Sequence, residues 1–195
     1  LLLHDLVARG LAPTRIAQFW LVTEGEGHRP GSSFFHRVQE QGFYALLFLA
    51  QALEGEGLAE DVHVTVITNG AARVRDEALP HPAKATIAGP ARVIPQEMPG
   101  LTVSTLDIEL PQQAAAPFWS RRRAEAQLDE ARAGLALRVL EDLLAEPSGC
   151  IAALRADRRF ECAMKPVALE APAAPADSAV TLITGGFGGI GLSIA

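Results

Sequence analysis

Three times along these 195 residues the apolar pattern passes from the two-residue period of a strand to the three-to-four-residue period of a helix and back again. That switching restricts the fold more than any other feature of the sequence, because strands separated by helix-length segments pair in parallel. RIAQFWLVT (15–23) is a continuous apolar run of strand length, followed by the turn-rich EGEGHRPGSS. FFHRVQEQGFYALLFLAQAL (34–53) repeats Val38, Ala45, Leu46, Leu49 and Leu53 at helical spacing, with Ser32 or Ser33 placed to cap its start. VHVTVITNG (62–70) alternates and is β-branched, which predicts a strand. HPAKATIAGPARVIPQEMPG (81–100) is predicted helical, and kinked or split, because Pro90 and Pro95 each remove a backbone donor.

LTVSTLDIEL (101–110) predicts a third strand. The segment at 118–146 predicts a long amphipathic helix with Leu128, Ala131, Leu135, Val139 and Leu143 on one stripe. IAALRADRRFECAM (151–164) reads as two strands reversing near Ala156 and Asp157. The order β-α-β-α-β-α-β-β predicts an α/β fold: a small, Rossmann-like, doubly wound, mostly parallel sheet with right-handed crossovers and a terminal β hairpin. EAPAAPADSA (170–179) lacks periodicity and is rich in Ala and Pro, which predicts an extended linker. The expected organisation is a first unit at 1–171, a linker at 172–178, and the opening strand of a second Rossmann unit at 179–195.

A 49% hydrophobic and 21% charged composition is that of a globular chain, and no run approaches the ~18 uncharged apolar residues of a membrane span. The first ten residues lack the basic start and cleavage site of a secretory signal, so a cytoplasmic location is the default expectation. A net charge of -6 with scattered arginines argues against a nucleic-acid partner. Arg121, Arg122 and Arg123 read as a solvated helix face, with a docking surface for an acidic partner as the sharper alternative. Cys150 and Cys162 are too few for a zinc ribbon; the hairpin brings Cys150 within about one position of facing Cys162 or Ala163. Two buried, reduced thiols are expected. His4, His28, His36, His63 and His81 show no metal-ligand spacing, and no metal site is expected. A pairing with Arg92 or a solvated carboxylate satisfies Glu97 equally well.

The chemistry concentrates near residue 184. TLITGGFGGIG (181–191) is a β-branched run followed by five glycines in seven positions, with Thr184, Gly185, Gly189 and Gly191 at the spacing T-G-x-x-x-G-x-G. Glycines let the backbone approach a ligand closely, and the unpaired N–H groups at a helix start favour an anion such as a dinucleotide pyrophosphate. The turn after the first strand lacks this spacing and carries Glu24 and Glu26, whose charge would repel phosphate. The first unit is therefore expected to be cofactor-free. No catalytic residue is expected: Tyr44 is the only tyrosine, Phe48, not a lysine, stands four residues later, and Ser104, Ser120 and Ser148 have no glycine elbow around them to make a nucleophile.

Residues 88–110, the 150–170 hairpin and TLITGGFGGIG, in this order, resemble the ketoreductase domain of type I polyketide synthases, with multidomain fatty acid synthases as relatives. The resemblance implies a structural, non-catalytic subdomain followed by the start of a catalytic subdomain of the short-chain dehydrogenase type. It implies a nicotinamide cofactor, NADPH, held by Thr184, Gly185, Gly186, Phe187, Gly188, Gly189, Ile190 and Gly191. It also implies an acyl carrier protein, the remaining catalytic subdomain and neighbouring synthase domains as partners, and reduction of a carrier-bound β-keto group by the complete domain. A non-enzymatic pseudo-ketoreductase scaffold is the competing expectation.

Overall fold

The computed structural model describes residues 2–24, 33–112, 117–169, 180 and 182–194. They fall into two compact units, Leu1–Cys162 and Ala163–Ala195. The linker at 172–178, Ser32, Glu26 and His28 lie outside the described residues. The first unit opens with a short helix, α1 (Leu2–Ala8), which the sequence pattern did not single out. Five strands follow: β1 (Arg15–Leu21), β2 (Val62–Asn69), β3 (Leu101–Ile108), β4 (Ile151–Arg155) and β5 (Arg158–Glu161). They form one sheet in the order β1-β2-β3-β4-β5, the first four parallel and β5 antiparallel to β4. The predicted α/β, mostly parallel, Rossmann-like architecture is the one observed.

Between β1 and β2 run α2 (Ser33–Val38), a π-helical segment (Gln39–Tyr44) and α3 (Ala45–Gly55). Phe34, Val38, Gly42, Leu46 and Ala50 are all buried, a repeat of four. An α-helix turns about 100° per residue, so a four-residue repeat drifts about 40° per step. The wider π turn takes up that drift and keeps the stripe on the sheet. At Gly42 an added Cβ would lie 2.9 Å from Leu21 Cδ1, so the helix meets β1 through a glycine. Opposite it, β1 carries an extra residue between Gln18 and Leu21 relative to β2. That bulge shifts the alternation and turns Leu21 to the same face as Ile16.

A 3₁₀ turn (Pro82–Ile87) leads into α4 (Ala88–Glu97), so the segment is helical in two parts, but the change falls ahead of Pro90 and Pro95, and α4 runs unbroken through both. α3 and α4 cover one face, packing Leu53, Ile87 and Ile94 on Val62, Val64 and Val103. α5 (Arg121–Leu144), preceded by a 3₁₀ turn (Phe118–Ser120), covers the other, with Leu135 and Val139 on Ile67, Leu106 and Leu154. All three crossovers step the same way across the sheet, yet α5 lies opposite α4. The last crossover therefore has the opposite hand to the two before it. This corrects the expectation of uniformly right-handed connections, which in this strand order would have left one face bare.

The other corrections are local. Within the predicted α5 stripe only Leu135 and Val139 are buried. The 24 residues of α5 span about 36 Å, longer than the roughly 27 Å of an eight-residue strand, so its first turns overhang the sheet. Ala152 pairs with Glu161, and continuing that register sets Cys150 against Ala163 and Ile151 against Cys162. The two cysteines thus point to opposite faces and are free; Cys150 is half-buried, but Cys162 is exposed rather than buried. In the second unit Val180, Leu182 and Ile183 are not in a strand, contrary to the expected opening strand. A parallel strand forms by ladder bonds to neighbours, and the described residues of that unit contain no other strand to supply them.

Candidate functional site

The loop after β2 leads to α4 on one face, and the loop after β3 leads to α5 on the other. Such divergence opens a crevice at the carboxyl ends of adjacent strands, where nucleotides bind in open α/β sheets. Here a cavity of about 440 Å³ remains, and Glu77 and Arg155 line it with the protein's own charges. Asp107, 2% exposed at the end of β3, accepts from Thr68 Oγ1 at 2.6 Å and from the Ala71 amide at 2.8 Å. Arg155, at the end of β4, donates Nη2 to Asp107 Oδ2 at 2.8 Å and to the Ala72 carbonyl at 3.1 Å. Its Nε reaches Glu77 Oε1 and Oε2 at 2.9 and 3.0 Å. Burial opposes the Arg155 charge, but the hydrogen bonds to Glu77 and Asp107 outweigh it and raise its pKa. The Arg155 hydrogen bond in turn lowers the Glu77 pKa. A phosphate in this crevice would face the Glu77 carboxylate, and the guanidinium that could receive it is already held by Glu77 and Asp107.

Beside the crevice, Lys84 is fully buried and donates Nζ to Thr23 Oγ1 at 2.8 Å, Asn69 Oδ1 at 2.6 Å and the Asn69 carbonyl at 3.1 Å. Asn69 also exchanges two bonds of 2.9 Å with the Thr23 backbone. The turn after β1 is thereby fixed to the end of β2 where a cofactor-binding unit would hold pyrophosphate. Glu24, predicted to repel phosphate there, pairs with Arg132 at 3.1 Å.

At the opposite end of the sheet, His63 on β2 sits between Thr102 Oγ1, 2.7 Å from Nδ1, and Ser104 Oγ, 2.8 Å from Nε2. Burial, with Arg15 adding to it against a weaker opposing effect of Asp142, lowers the His63 pKa below its ordinary 6.5. The unfolded chain then binds more protons than the native one between the lowered value and 6.5, so His63 makes stability fall as pH drops through that window. One such proton contributes at most about 1.4 kcal/mol per pH unit. Thermal unfolding scanned from pH 7.5 to 5 should show this loss, and His63→Gln should flatten it; an equally steep profile in the variant would assign the loss to other groups.

In the second unit, the predicted cofactor residues form one turn. Thr184, Gly185, Gly186 and Phe187 make the bend, Gly188 N–H donates to the Gly185 carbonyl at 2.9 Å, and α6 (Gly189–Ile194) begins at once. Gly185 has φ +75°, a conformation that favours glycine. A Cβ on Gly191 would stand 2.3 Å from the Gly185 carbonyl oxygen, so the helix packs against the bend only with glycine there. A Cβ on Gly189 would meet nothing within 4 Å. Tight contact on one side and open space at the helix start fit an approaching pyrophosphate. Phe187 is 99% exposed and Ile190 80%. Thr184 is exposed and makes no hydrogen bond with the described residues.

Among the described residues no group of three His, Cys, Asp or Glu side chains could hold a metal ion, and no helix is long and apolar enough to cross a membrane. Sequence reasoning missed Lys84, Asp107 and Arg155. Asp107 gave a signal, the lone charged residue in a strand whose other members are apolar or hydroxyl-bearing.

No protein-family model matches the chain, and no curated protein matches it. Solved structures do. One contains the adenylation, ketoreductase and pseudo-Asub domains of a keto acid-selecting NRPS module. It matches with a TM-score of 0.61 and 25% identity, over 99% of this chain and 15% of that one. A short chain dehydrogenase from Mycobacterium avium matches with a TM-score of 0.51 and 16% identity, over 90% of this chain and 65% of that one. The chain thus spans less than two thirds of the length of either structure. With the parallel sheet already described, these similarities show a Rossmann-like α/β fold.

Proposed function

We propose that this chain is the structural half of an NADPH-dependent ketoreductase within a multidomain synthase, joined to the first turn of the catalytic half. Its parent would reduce the β-keto group of a polyketide chain held on an acyl carrier protein. The observation that carries this reading is the pairing, in one polypeptide, of a sheet whose crevice is lined by the Glu77 carboxylate and by an Arg155 guanidinium already held by Glu77 and Asp107, with a glycine turn open at Gly189. Thr184 through Gly191 would hold the pyrophosphate by backbone N–H groups, and NADPH, when bound, supplies the hydride. Gly185 and Gly191 set the bend, and Gly189 leaves room for the ligand. The first unit contributes a rigid support and no group that takes part in that reduction. Similarity to a keto acid-selecting module supports a second reading, in which the reduced carbonyl is that of a keto acid.

The test is reconstitution. The 195 residues alone should show no NADPH oxidation with β-keto thioesters or keto acids, whereas the chain continued through about 200 residues of its parent, an ordinary domain length, should. Comparing the two substrates separates the two readings. In the continued protein, Gly191→Ala should weaken NADPH binding at least tenfold, about 1.4 kcal/mol, because the bend must shift to admit the methyl group. Unchanged affinity by calorimetric titration would remove the turn from the site, and turnover by the short chain would overturn the assignment.

A further inference from the structure

On the face of the sheet covered by the last turns of α5, far from the glycine turn in sequence and independent of the reading above, a cavity of about 530 Å³ opens over polar strand residues. Positions 63 and 65 of β2 lie beside 102 and 104 of β3, and where these strands elsewhere place Ile67 and Leu106 they here place His63, Thr65, Thr102 and Ser104. The four side chains are joined: Thr102 Oγ1 to His63 Nδ1 at 2.7 Å, His63 Nε2 to Ser104 Oγ at 2.8 Å, and Ser104 Oγ to Thr65 Oγ1 at 3.5 Å. His63, Thr65 and Ser104 line the cavity, and Arg138 of α5 lines it too. The Nε of Arg138 is buried and finds no hydrogen-bond partner among the described residues.

We propose that Ser104 and His63 form a nucleophile–base pair that accepts acyl groups from short esters or thioesters, with Thr102 positioning the imidazole. With the His63 proton on Nδ1 and donated to Thr102, Nε2 is free to take the proton of Ser104. Ser104 Oγ bonds to the acyl carbon as its proton passes to His63. Collapse breaks the bond to the leaving alkoxide or thiolate, which takes the proton back from His63. Water then cleaves acyl-Ser104 by the same route in reverse and releases the acid. Burial keeps His63 neutral near pH 7, as a base must be.

The test uses the 195-residue chain with a fluorophosphonate, which loses fluoride to an activated serine, and with p-nitrophenyl acetate. Intact-mass and peptide analysis should find one adduct, on Ser104, absent in Ser104→Ala. The labelling rate should fall about 10²-fold in His63→Gln, the usual contribution of a general base. Because that variant can lose structure, the wild-type rate is also followed against pH. It should rise with deprotonation of one group below 6.5, in a site faced by Arg15 of β1, Arg138, Glu141 and Asp142 of α5, and Arg159 and Glu161 of β5. Thr102→Val should shift that titration. No adduct, an adduct on another residue, or a rate that does not change with pH overturns the proposal, and none of these bears on NADPH binding at the glycine turn.

Discussion

Replacing Arg155 with alanine should lower the unfolding free energy by about 3–5 kcal/mol, the usual cost of leaving a buried charge without its partner. Asp107 is the charge in question. It keeps its bonds from Thr68 and Ala71, but the guanidinium that neutralises its charge at 2.8 Å is gone, and a neutral water in the vacated space would not replace that charge. An ordinary domain is stable by about 5–15 kcal/mol, so the variant should be marginal at 37 °C. Urea unfolding followed by circular dichroism at pH 7 measures the loss. The double variant Asp107→Asn/Arg155→Met should recover most of it, because a buried pair gains little over neutral groups that fill the same space. A loss under about 1 kcal/mol in Arg155→Ala, or no recovery in the double variant, would show that the pair is not the element holding the crevice wall. Amide exchange at Ala71 and Ala72 gives a local readout, since these amides lie in the loop that Arg155 and Asp107 hold down.

The fold was legible where one residue pattern sufficed. β2 is buried along its whole length, and its β-branched residues follow from packing on both faces. Ala156 with Asp157 marked the hairpin turn, whereas Pro90 and Pro95 lie within an unbroken α4 and the change of helix type comes before them. What was hidden depends on pairing between distant segments. The extra residue in β1 is visible only against β2, and the four-residue repeat of α2 and α3 signals a π turn only once the sheet is known to hold every member of it. The cysteines show the difference plainly: proximity along the hairpin was readable, but the one-position offset that sends them to opposite faces needed the register Ala152 to Glu161. At the candidate site the glycine spacing announced the bend, because Gly185 and Gly191 are required locally. The charged crevice was not announced, since Arg155, Glu77 and Asp107 lie 30 to 78 residues apart and meet only through sheet order.

Lys84 provides the second large effect, and it tests whether the first unit is cofactor-free by construction. Its ammonium has three protons and meets three oxygens, Thr23 Oγ1, Asn69 Oδ1 and the Asn69 carbonyl, all within 3.1 Å. Hydrogen bonds to a charged group contribute about 1.5–3 kcal/mol each, and buried acceptors left unpaired cost about 1–3 more, with strong overlap between these effects. Lys84→Met retains much of the aliphatic stem and removes the charge; it should destabilise the chain by about 3 kcal/mol. Lys84→Ala should cost about 2 kcal/mol more through the cavity it leaves. If Met restored wild-type stability in urea, the ammonium would contribute nothing and the tie between β1 and β2 would be apolar packing alone. Neither variant should gain NADPH binding, because Asn69 and Thr23 remain bonded to each other and Glu77 and Arg155 still line the crevice with their charges. Binding by Lys84→Met, measured in the isolated chain, would mean that a single cation, rather than the arrangement of carboxylates and loops, had kept the nucleotide out.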